Sequence, residues 1–488
     1  MPPLALPASH VHLVGIGGAG MSALARLYLA TGATVSGSDA SDSKALRDLQ
    51  ALGTTVAIGH DATHVASCLG SARPLVVASS AIPPSNPELV AARAAGVTVL
   101  KHADALATFV NARRGIAVAG THGKTTTTAM VTLALQAGGL DPSFQVGGEL
   151  VDLDTSAGMG TGDWMVVEAD EYDRRFLAFA PEVAVVTNVE PEHFEYYGSV
   201  AEMEGAYSAF LDRVVGGGVV IAASGAGPDR GARLDRILAT AGLASRGIGL
   251  VRYGMSASTA DDAWRVADFR PDGAGAAFLV VPPDGAAVPM HLKIPGAHNA
   301  MNAIAACAVA AHAGVPLHVS IAALERFHGV RRRFQVIHDD RGILVVEDYA
   351  HHPTEVRATL AAARPSVAGG RLWAVFQPHL HVRTERLFDD FVDALATADR
   401  VILADTYSPP GREPDGAYRG APELVDALRA AHSGVRADHV RSEGDLVDAV
   451  FNHAAPGDVV VVMGAGPIDR SGREIARRLT ATAASGPA

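Results

Sequence analysis

Cysteine and lysine are both scarce in this 488-residue chain. It has two cysteines, Cys68 and Cys307, and four lysines, Lys44, Lys101, Lys124 and Lys293. Two cysteines far apart in apolar surroundings exclude a disulfide framework and predict buried free thiols in a reducing cytoplasm. Positive charge is also short. The net charge of −12 excludes a broad nucleic-acid surface, so no nucleic-acid partner is expected. No apolar run is long enough for a bilayer. The nearest, Ala300 to Val315, is alanine-rich, broken by Asn302 and His312, and reads as a packed helix. Met-Pro-Pro-Leu-Ala-Leu-Pro at the start lacks the basic region and apolar core of a signal peptide. No membrane partner is expected, and the predicted location is cytoplasmic.

What remains is an ordinary soluble composition, 48% hydrophobic and 19% charged, in a chain long enough for roughly three domains. Short apolar strands alternate with alanine-rich helical stretches, which predicts α/β architecture with mainly parallel sheets. The first block holds Val11–Val14, Thr34–Gly37 and Leu75–Ala78 as strands. The second holds Gly115–Val118, Trp164–Val167, Val183–Val186 and Val219–Ala222. Residues 251–294 carry Pro-Asp-Gly twice, at 271–273 and 283–285, and predict antiparallel hairpins. The third block holds Ile343–Val346, Leu372–Val375, Val401–Leu403 and Val459–Val462. The predicted domains are 1–107, 108–328 and 329–488.

Two glycine loops follow the opening strands of the first two blocks. Gly15-Ile16-Gly17-Gly18-Ala19-Gly20 has the Gly-x-Gly-x-x-Gly spacing at 15, 17 and 20, and Asp39 stands 24 residues after Gly15. The loop suits a diphosphate resting on a helix N-terminus, and both NAD and UDP carry one. The second loop is Gly120-Thr121-His122-Gly123-Lys124-Thr125-Thr126. Glycines turn backbone N–H groups toward phosphate, Lys124 adds a point charge as an exposed loop lysine, and the Thr125 hydroxyl suits Mg²⁺. The usual eight-residue pattern wants glycine at 118, where valine stands. Glu168 closes a strand 44 residues after Lys124 and fits the acid that completes an Mg²⁺ shell, with Asp170 and Glu171 as substitutes. His193, in Thr187-Asn188-Val189-Glu190-Pro191-Glu192-His193, suits a second metal ion.

Together these motifs resemble the Mur ligase family over nearly the whole length. The stretch Ala117 to Thr126 is similar to its ATP loop, and Glu168-Ala169-Asp170-Glu171 and Thr187-Asn188…His193 to its central motifs. Pro295-Gly296-Ala297-His298-Asn299 resembles the adenine-side motif. Gly329 to Phe334 resembles the linker that brings Arg333 to ATP, and Asp348 to Val356 the C-terminal nucleotide motif, with Asp348 and His351. The resemblance implies three domains: a Rossmann-like N-terminal domain, a central P-loop ATPase domain and a Rossmann-like C-terminal domain. It implies ATP bound by Gly120 to Thr126, His298, Asn299, Arg333, Asp348 and His351. It also implies two Mg²⁺ ions on Thr125, Glu168 and His193, with Lys124, Glu168 and His193 as catalytic residues. Gly15, Gly17, Gly18, Gly20, Asp39, Ser79, Ser80 and Ala81 would hold a UDP substrate.

Within the family, Phe376-Gln377-Pro378-His379 with Arg383, and Met463-Gly464-Ala465-Gly466, resemble the branch that joins L-alanine to UDP-N-acetylmuramate through an acyl phosphate in peptidoglycan synthesis. His379 or Arg383 would supply the cation for the amino-acid carboxylate. A monomer or weak homodimer is the expected assembly. Tyr172 is shared with the murein tripeptide ligase of cell-wall recycling, which stands as the alternative. That branch would need a wider, more basic mouth, yet Asp405 to Gly420 offers Arg412 and Arg419 against Asp405, Glu413 and Asp415. The chain departs from the family pattern at Glu192, usually Asp, at Leu380, commonly Arg, and at His381, often Tyr. No lysine lies between His193 and Lys293, which removes the carbamylated lysine of several sister ligases. A dinucleotide-dependent oxidoreductase and an ATP-driven switch each leave one glycine loop unused, and no Asn-Lys-x-Asp motif supports a GTPase.

Overall fold

The computed structural model describes residues 8–224, 228–255, 263–340, 342–409, 412 and 416–484. Glu413 and Asp415 lie outside them. The chain divides into two compact units. One is Met1–Glu190, Ala201–Trp264 and Ala303–Leu324, the other Pro191–Val200, Arg265–Asn302 and Glu325–Ala488.

The first unit begins with five parallel strands, β1 (His10–Val14), β2 (Thr34–Asp39), β3 (Thr55–Ile58), β4 (Pro74–Ala78) and β5 (Val99–Lys101), in the order β3-β2-β1-β4-β5. The chain reverses direction across the sheet between β1 and β4, and α/β sheets bind ligands in the crevice at such a switch point. All five residues of β1 are buried, so the apolar run that marked it in the sequence is a central strand.

The unit continues with β6 (Arg114–Ala119), β7 (Ser143–Leu150), β8 (Thr155–Gly158), β9 (Trp164–Glu168), β10 (Val183–Val186), β11 (Val219–Ala223) and β12 (Gly249–Met255). They lie in the order β12-β11-β10-β6-β9-β7-β8. Only the β7–β8 pairing among these is antiparallel. β10 is Val-Ala-Val-Val, buried throughout, and each valine so buried contributes about 1.5–3 kcal/mol. Val118 pairs with Glu168 and Val186 with Ala119, so the ends of β6, β9 and β10 are level.

The second unit takes up from Arg265: β13 (Trp264–Asp272), β14 (Gly275–Val281) and β15 (Val288–Leu292) form the antiparallel hairpins that Pro-Asp-Gly signalled. The expected hairpin region started too early, because β12 pairs parallel with β11. A six-stranded sheet follows: β16 (Gln335–Asp340), β17 (Ile343–Asp348), β18 (Leu372–Phe376), β19 (Arg400–Ala404), β20 (Arg436–Val440) and β21 (Val459–Met463). Its order is β16-β17-β21-β18-β19-β20, with only β16 antiparallel. Each face carries its own core, one around Phe376, Phe391 and Leu424, the other around Trp373, Ile402 and Ile475. Asp348, Met463 and Phe376 are in register, which brings the motifs after β17, β21 and β18 to one edge.

The stretch weighed as a membrane span is the helix Ala297–His312, packed through Ala303, Ile304 and Cys307. Among the described residues no helix is long and apolar enough to cross a membrane. Cys68 and Cys307 are free and buried, and burial pushes the Cys307 thiol up to about 12.

Candidate active site

The loop after β1 turns at Gly15, whose φ of 82° suits glycine. A Cβ there would stand 3.0 Å from the Ser79 Cβ, so the glycine lets the loop lie directly on the segment after β4. That segment carries Ser79, Ser80 and Ala81, with the Ala81 N–H donating to Ser79 Oγ at 3.4 Å. Asp39, at the end of β2, accepts the Gly17 N–H at 2.8 Å and braces the loop. The helix Ala19–Ala30 starts from Gly18 with no side-chain cap, whereas the helix Lys44–Ala51 is capped by Ser43. Uncapped first-turn N–H groups and the positive end of the helix dipole form an anion site. The expected UDP-binding residues thus gather at one switch point.

The loop after β6 has the same design. Gly120 (φ 131°) and Gly123 (φ 82°) take backbone shapes closed to most residues, and no side chain caps the helix Lys124–Ala137. Thr187 Oγ donates to the His122 carbonyl at 2.6 Å. Asn188 accepts the His122 N–H at 2.9 Å and donates back to its carbonyl at 3.0 Å. Thr121 Oγ accepts the Glu190 N–H at 2.8 Å. The segment after β10 therefore acts as a brace for the loop, a role for Thr187, Asn188 and Glu190 that the spacing alone did not reveal.

Lys124 is not the exposed lysine expected. Its Nζ donates to the carbonyls of Gly120 at 2.6 Å and Thr121 at 3.2 Å and to Glu171 Oε2 at 2.8 Å, with the side chain only 12% exposed. Burial works to lower its pKa, but Glu171, Asp170 and Glu168 outweigh burial and hold it above the ordinary lysine range. The ammonium is thus charged and its resting counter-ion is Glu171, weighed in the sequence only as a substitute metal ligand. Glu168 ends β9, and its Oε2 accepts the Gly147 N–H at 2.9 Å. Thr125 opens the helix, buried. A threonine hydroxyl in the first turn of the helix after β6 and a carboxylate at the end of the level neighbouring strand β9 are hard oxygen donors, and they fit Mg²⁺.

The second unit holds the other expected residues. His193 has φ 56°, and its Nδ1 lies 3.7 Å from Glu195. Arg383 is buried: its Nε donates to Glu192 Oε1 at 2.7 Å, both side chains being about 5% exposed or less. Burial raises the Glu192 carboxyl pKa, but Arg383, His352, His193 and His351 outweigh burial and hold it well below the carboxylate range. Arg383 Nη1 also faces His379 Nδ1 at 3.0 Å. A guanidinium only donates, so His379 Nδ1 accepts and the imidazole is neutral with its proton on Nε2. Burial first, then Arg383, pushes His379 down to about 3. Of the two candidates for an amino-acid carboxylate, only Arg383 is a cation, and Glu192 already occupies it.

Asp348, at the end of β17, accepts the N–H groups of Phe334 and Ala350, each at 2.7 Å, and burial pushes it up to about 6. Arg333 lies 5.0 Å over the Tyr349 ring and 3.9 Å from Glu355. Its neighbour Arg332 instead ties down the carbonyls of Gly464 and Gly466, both at 3.1 Å. His298 and His351 are each pushed down to about 4 by burial. Asn299 spends its amide on the Pro295 carbonyl at 2.7 Å. Arg412 pairs with Glu195 and Arg419 with Glu385, so neither stands as an open basic mouth.

Three family models match the chain in succession: the Mur ligase family catalytic domain over residues 10–114, the Mur ligase middle domain over 118–310, and the Mur ligase glutamate ligase domain over 332–466. The UDP-N-acetylmuramate–L-alanine ligase of Saccharopolyspora erythraea is 44% identical over 468 residues, covering 95% of this chain and 92% of the relative. The enzyme of that name from Kineococcus radiotolerans is 44% identical, covering 95% of each chain. Among solved structures, the UDP-N-acetylmuramate–alanine ligase of Thermotoga maritima matches with a TM-score of 0.78 at 27% identity, covering 97% of this chain and 99% of the other. A murein peptide ligase from Psychrobacter arcticus matches with a TM-score of 0.69, also at 27% identity, covering 97% and 98%.

Proposed function

This chain belongs to the Mur ligase family, and we propose that it joins L-alanine to the lactyl carboxylate of UDP-N-acetylmuramate, using ATP, in the making of peptidoglycan precursors. One observation carries the division of labour. Both glycine loops lie at carboxyl strand ends ahead of uncapped helices, but only the second carries a lysine, a hydroxyl and a level acid. The first loop therefore suits the diphosphate of the nucleotide sugar and the second the triphosphate of ATP. The choice of L-alanine rests on the named relatives.

The lactyl carboxylate attacks the γ-phosphate to give an acyl phosphate and ADP. The amine of L-alanine then attacks the acyl carbon and phosphate leaves. Oxygens of like charge must approach in the first step, and repulsion opposes them unless positioned cations offset it. Lys124 supplies one such charge. Thr125, Glu168 and His193 are assigned as ligands of two Mg²⁺ ions, which would supply further charge neutralisation. Arg383 positions His379 at the amino-acid end. We assign residues 1–107 to the UDP substrate, 108–328 to ATP and 329–488 to completing the nucleotide site and binding the amino acid, in a cytoplasmic enzyme.

The test is turnover. ADP release should require UDP-N-acetylmuramate and L-alanine together. In competition at equal concentration, L-alanine should outrun the tripeptide L-Ala-γ-D-Glu-meso-diaminopimelate. Preferential ligation of the tripeptide, the outcome that Tyr172 keeps in view, would overturn the alanine assignment.

A further inference from the structure

The segment after β9 contains two consecutive non-glycine residues in the left-handed region, Asp173 (φ 55°) and Arg174 (φ 53°). Such backbone is held only where surrounding contacts fix it. Here Lys101 lies 3.4 Å from Asp173, and Arg174 donates to Glu202 at 2.9 Å. The turn sends the next side chain, Arg175, back toward the first glycine loop. Its Nη1 donates to Asp170 Oδ2 at 3.1 Å, its Nη2 donates to Ser80 Oγ, and its guanidinium lies 5.2 Å from the Tyr172 ring centre.

Ser80 belongs to the segment on which Gly15 rests, so Arg175 reaches the rim of the diphosphate crevice from the catalytic strand. The other basic groups nearby are committed. Lys101 faces Asp173, and His102 gives its Nε2 to the Gly20 carbonyl at 3.0 Å. Burial first, and Arg175 after it, hold His102 down to about 4, so that ring is neutral. A helix N-terminus offers only about half a charge to an anion that carries two or more. A guanidinium has five N–H donors in a planar fork suited to phosphate oxygens. Two of them are engaged in hydrogen bonds here, and the side chain is 28% exposed.

We propose that Arg175 is a specificity-determining residue that grips the diphosphate of the nucleotide-sugar substrate, exchanging its resting bond to Asp170 for phosphate oxygens. This rests on the reading of the first glycine loop as the UDP site. It also links the two loops. The strand that ends in Glu168 would sense the acceptor through the turn that carries Arg175.

The experiment is calorimetric titration of the full chain with UDP, UDP-N-acetylmuramate, uridine and ATP. Arg175→Met should weaken UDP and UDP-N-acetylmuramate by about ten- to hundredfold, the worth of a charged hydrogen-bonding group. Uridine and ATP affinities should stay within about twofold, since neither probe meets the lost charge. Arg175→Lys keeps the charge and loses the fork, so its UDP affinity should fall between those of wild type and Arg175→Met. Retained ATP affinity reports that each variant is folded. Wild-type UDP affinity in Arg175→Lys, the variant to rely on if Arg175→Met fails to fold, would overturn the proposal. So would equal losses for UDP and ATP, or a loss seen with UDP-N-acetylmuramate but not with UDP. Failure of the wild-type protein to bind UDP would instead overturn the reading beneath it.

Discussion

At the scale of the residue, the two charges with most at stake are both buried pairs. Lys124 was legible in the sequence as a phosphate-binding lysine, because its glycines and threonine flank it. Its burial was not legible, since the counter-ion Glu171 lies 47 residues away and one position beyond a plausible metal ligand. Lys124→Ala should cost about 10²–10³ in the rate of acyl-phosphate formation. It should also destabilise the fold by about 3–5 kcal/mol, because Glu171 is left buried without its cation. Adding Glu171→Gln to that variant should restore urea resistance and leave the rate low. A double variant as inactive and as unstable as the single one would show that Glu171 is not the partner that matters. Arg383 was likewise legible as a cation after a strand end, and Glu192 as a departure from the family pattern, but nothing in the spacing joined the two. Arg383→Ala and Glu192→Gln should each lower stability by about 3–5 kcal/mol, and the double variant by less than their sum. Denaturation midpoints of the three variants decide this; simple additivity would mean that the ion pair contributes nothing.

At the scale of the element, legibility followed burial. β1, β10, β18 and β21 are runs of residues buried throughout, and all were visible as apolar runs. β3 was not seen, because it is an edge strand with a mixed, half-exposed pattern. β5 has three residues, β7 carries two glycines, and β16 and β20 are edge strands rich in charge. The turn at 173–174 was hidden for a different reason: tertiary contacts hold Asp and Arg where glycine would be expected. Glycine placement, by contrast, is firmly dictated at the P-loop. A Cβ at Gly120 would stand 2.1 Å from Thr187 Oγ and 3.0 Å from the Asn188 nitrogen, at a φ of 131°. Gly120→Ala should therefore push the loop off its brace and weaken ATP binding at least tenfold, about the worth of one displaced charged hydrogen bond, while UDP affinity is unchanged. Titration with the two nucleotides separates these effects, and an unaltered ATP affinity would refute the brace.

At the scale of the whole molecule, acid stability follows from the carboxylates that the fold ionises. Glu192 is held low as described. In the N-terminal sheet Glu88 is held low too, where hydrogen bonds from His12, Ser38 and His60 outweigh burial. A carboxyl whose folded pKa is depressed contributes stability above its unfolded value of about 4.3 and loses it as pH falls through the folded value. Asp348 runs the other way. Raised to about 6, it contributes stability below about 3.9 that is lost as pH climbs through 6. Unfolding free energy should thus fall steeply below about pH 4.3, and Glu192→Gln should flatten that limb. Asp348→Asn should remove the decline between about pH 4 and 6. Urea titrations across pH check both slopes.

The scarcity of lysine gives the burial of Lys124 a practical use. Lys44 is 74% exposed and Lys101 is 68% exposed, Lys293 stands on the surface beside His328, and Lys124 is folded into its own loop. An amine-reactive ester needs an accessible, deprotonated amine, and the loop lysine is neither. Acylation of the native protein should therefore mark the other three side chains and spare Lys124. Lys124 would take up label only as the P-loop opens. Its labelling rate, followed by mass spectrometry, would act as a clock on the motion that must release the ammonium before a triphosphate can displace Glu171.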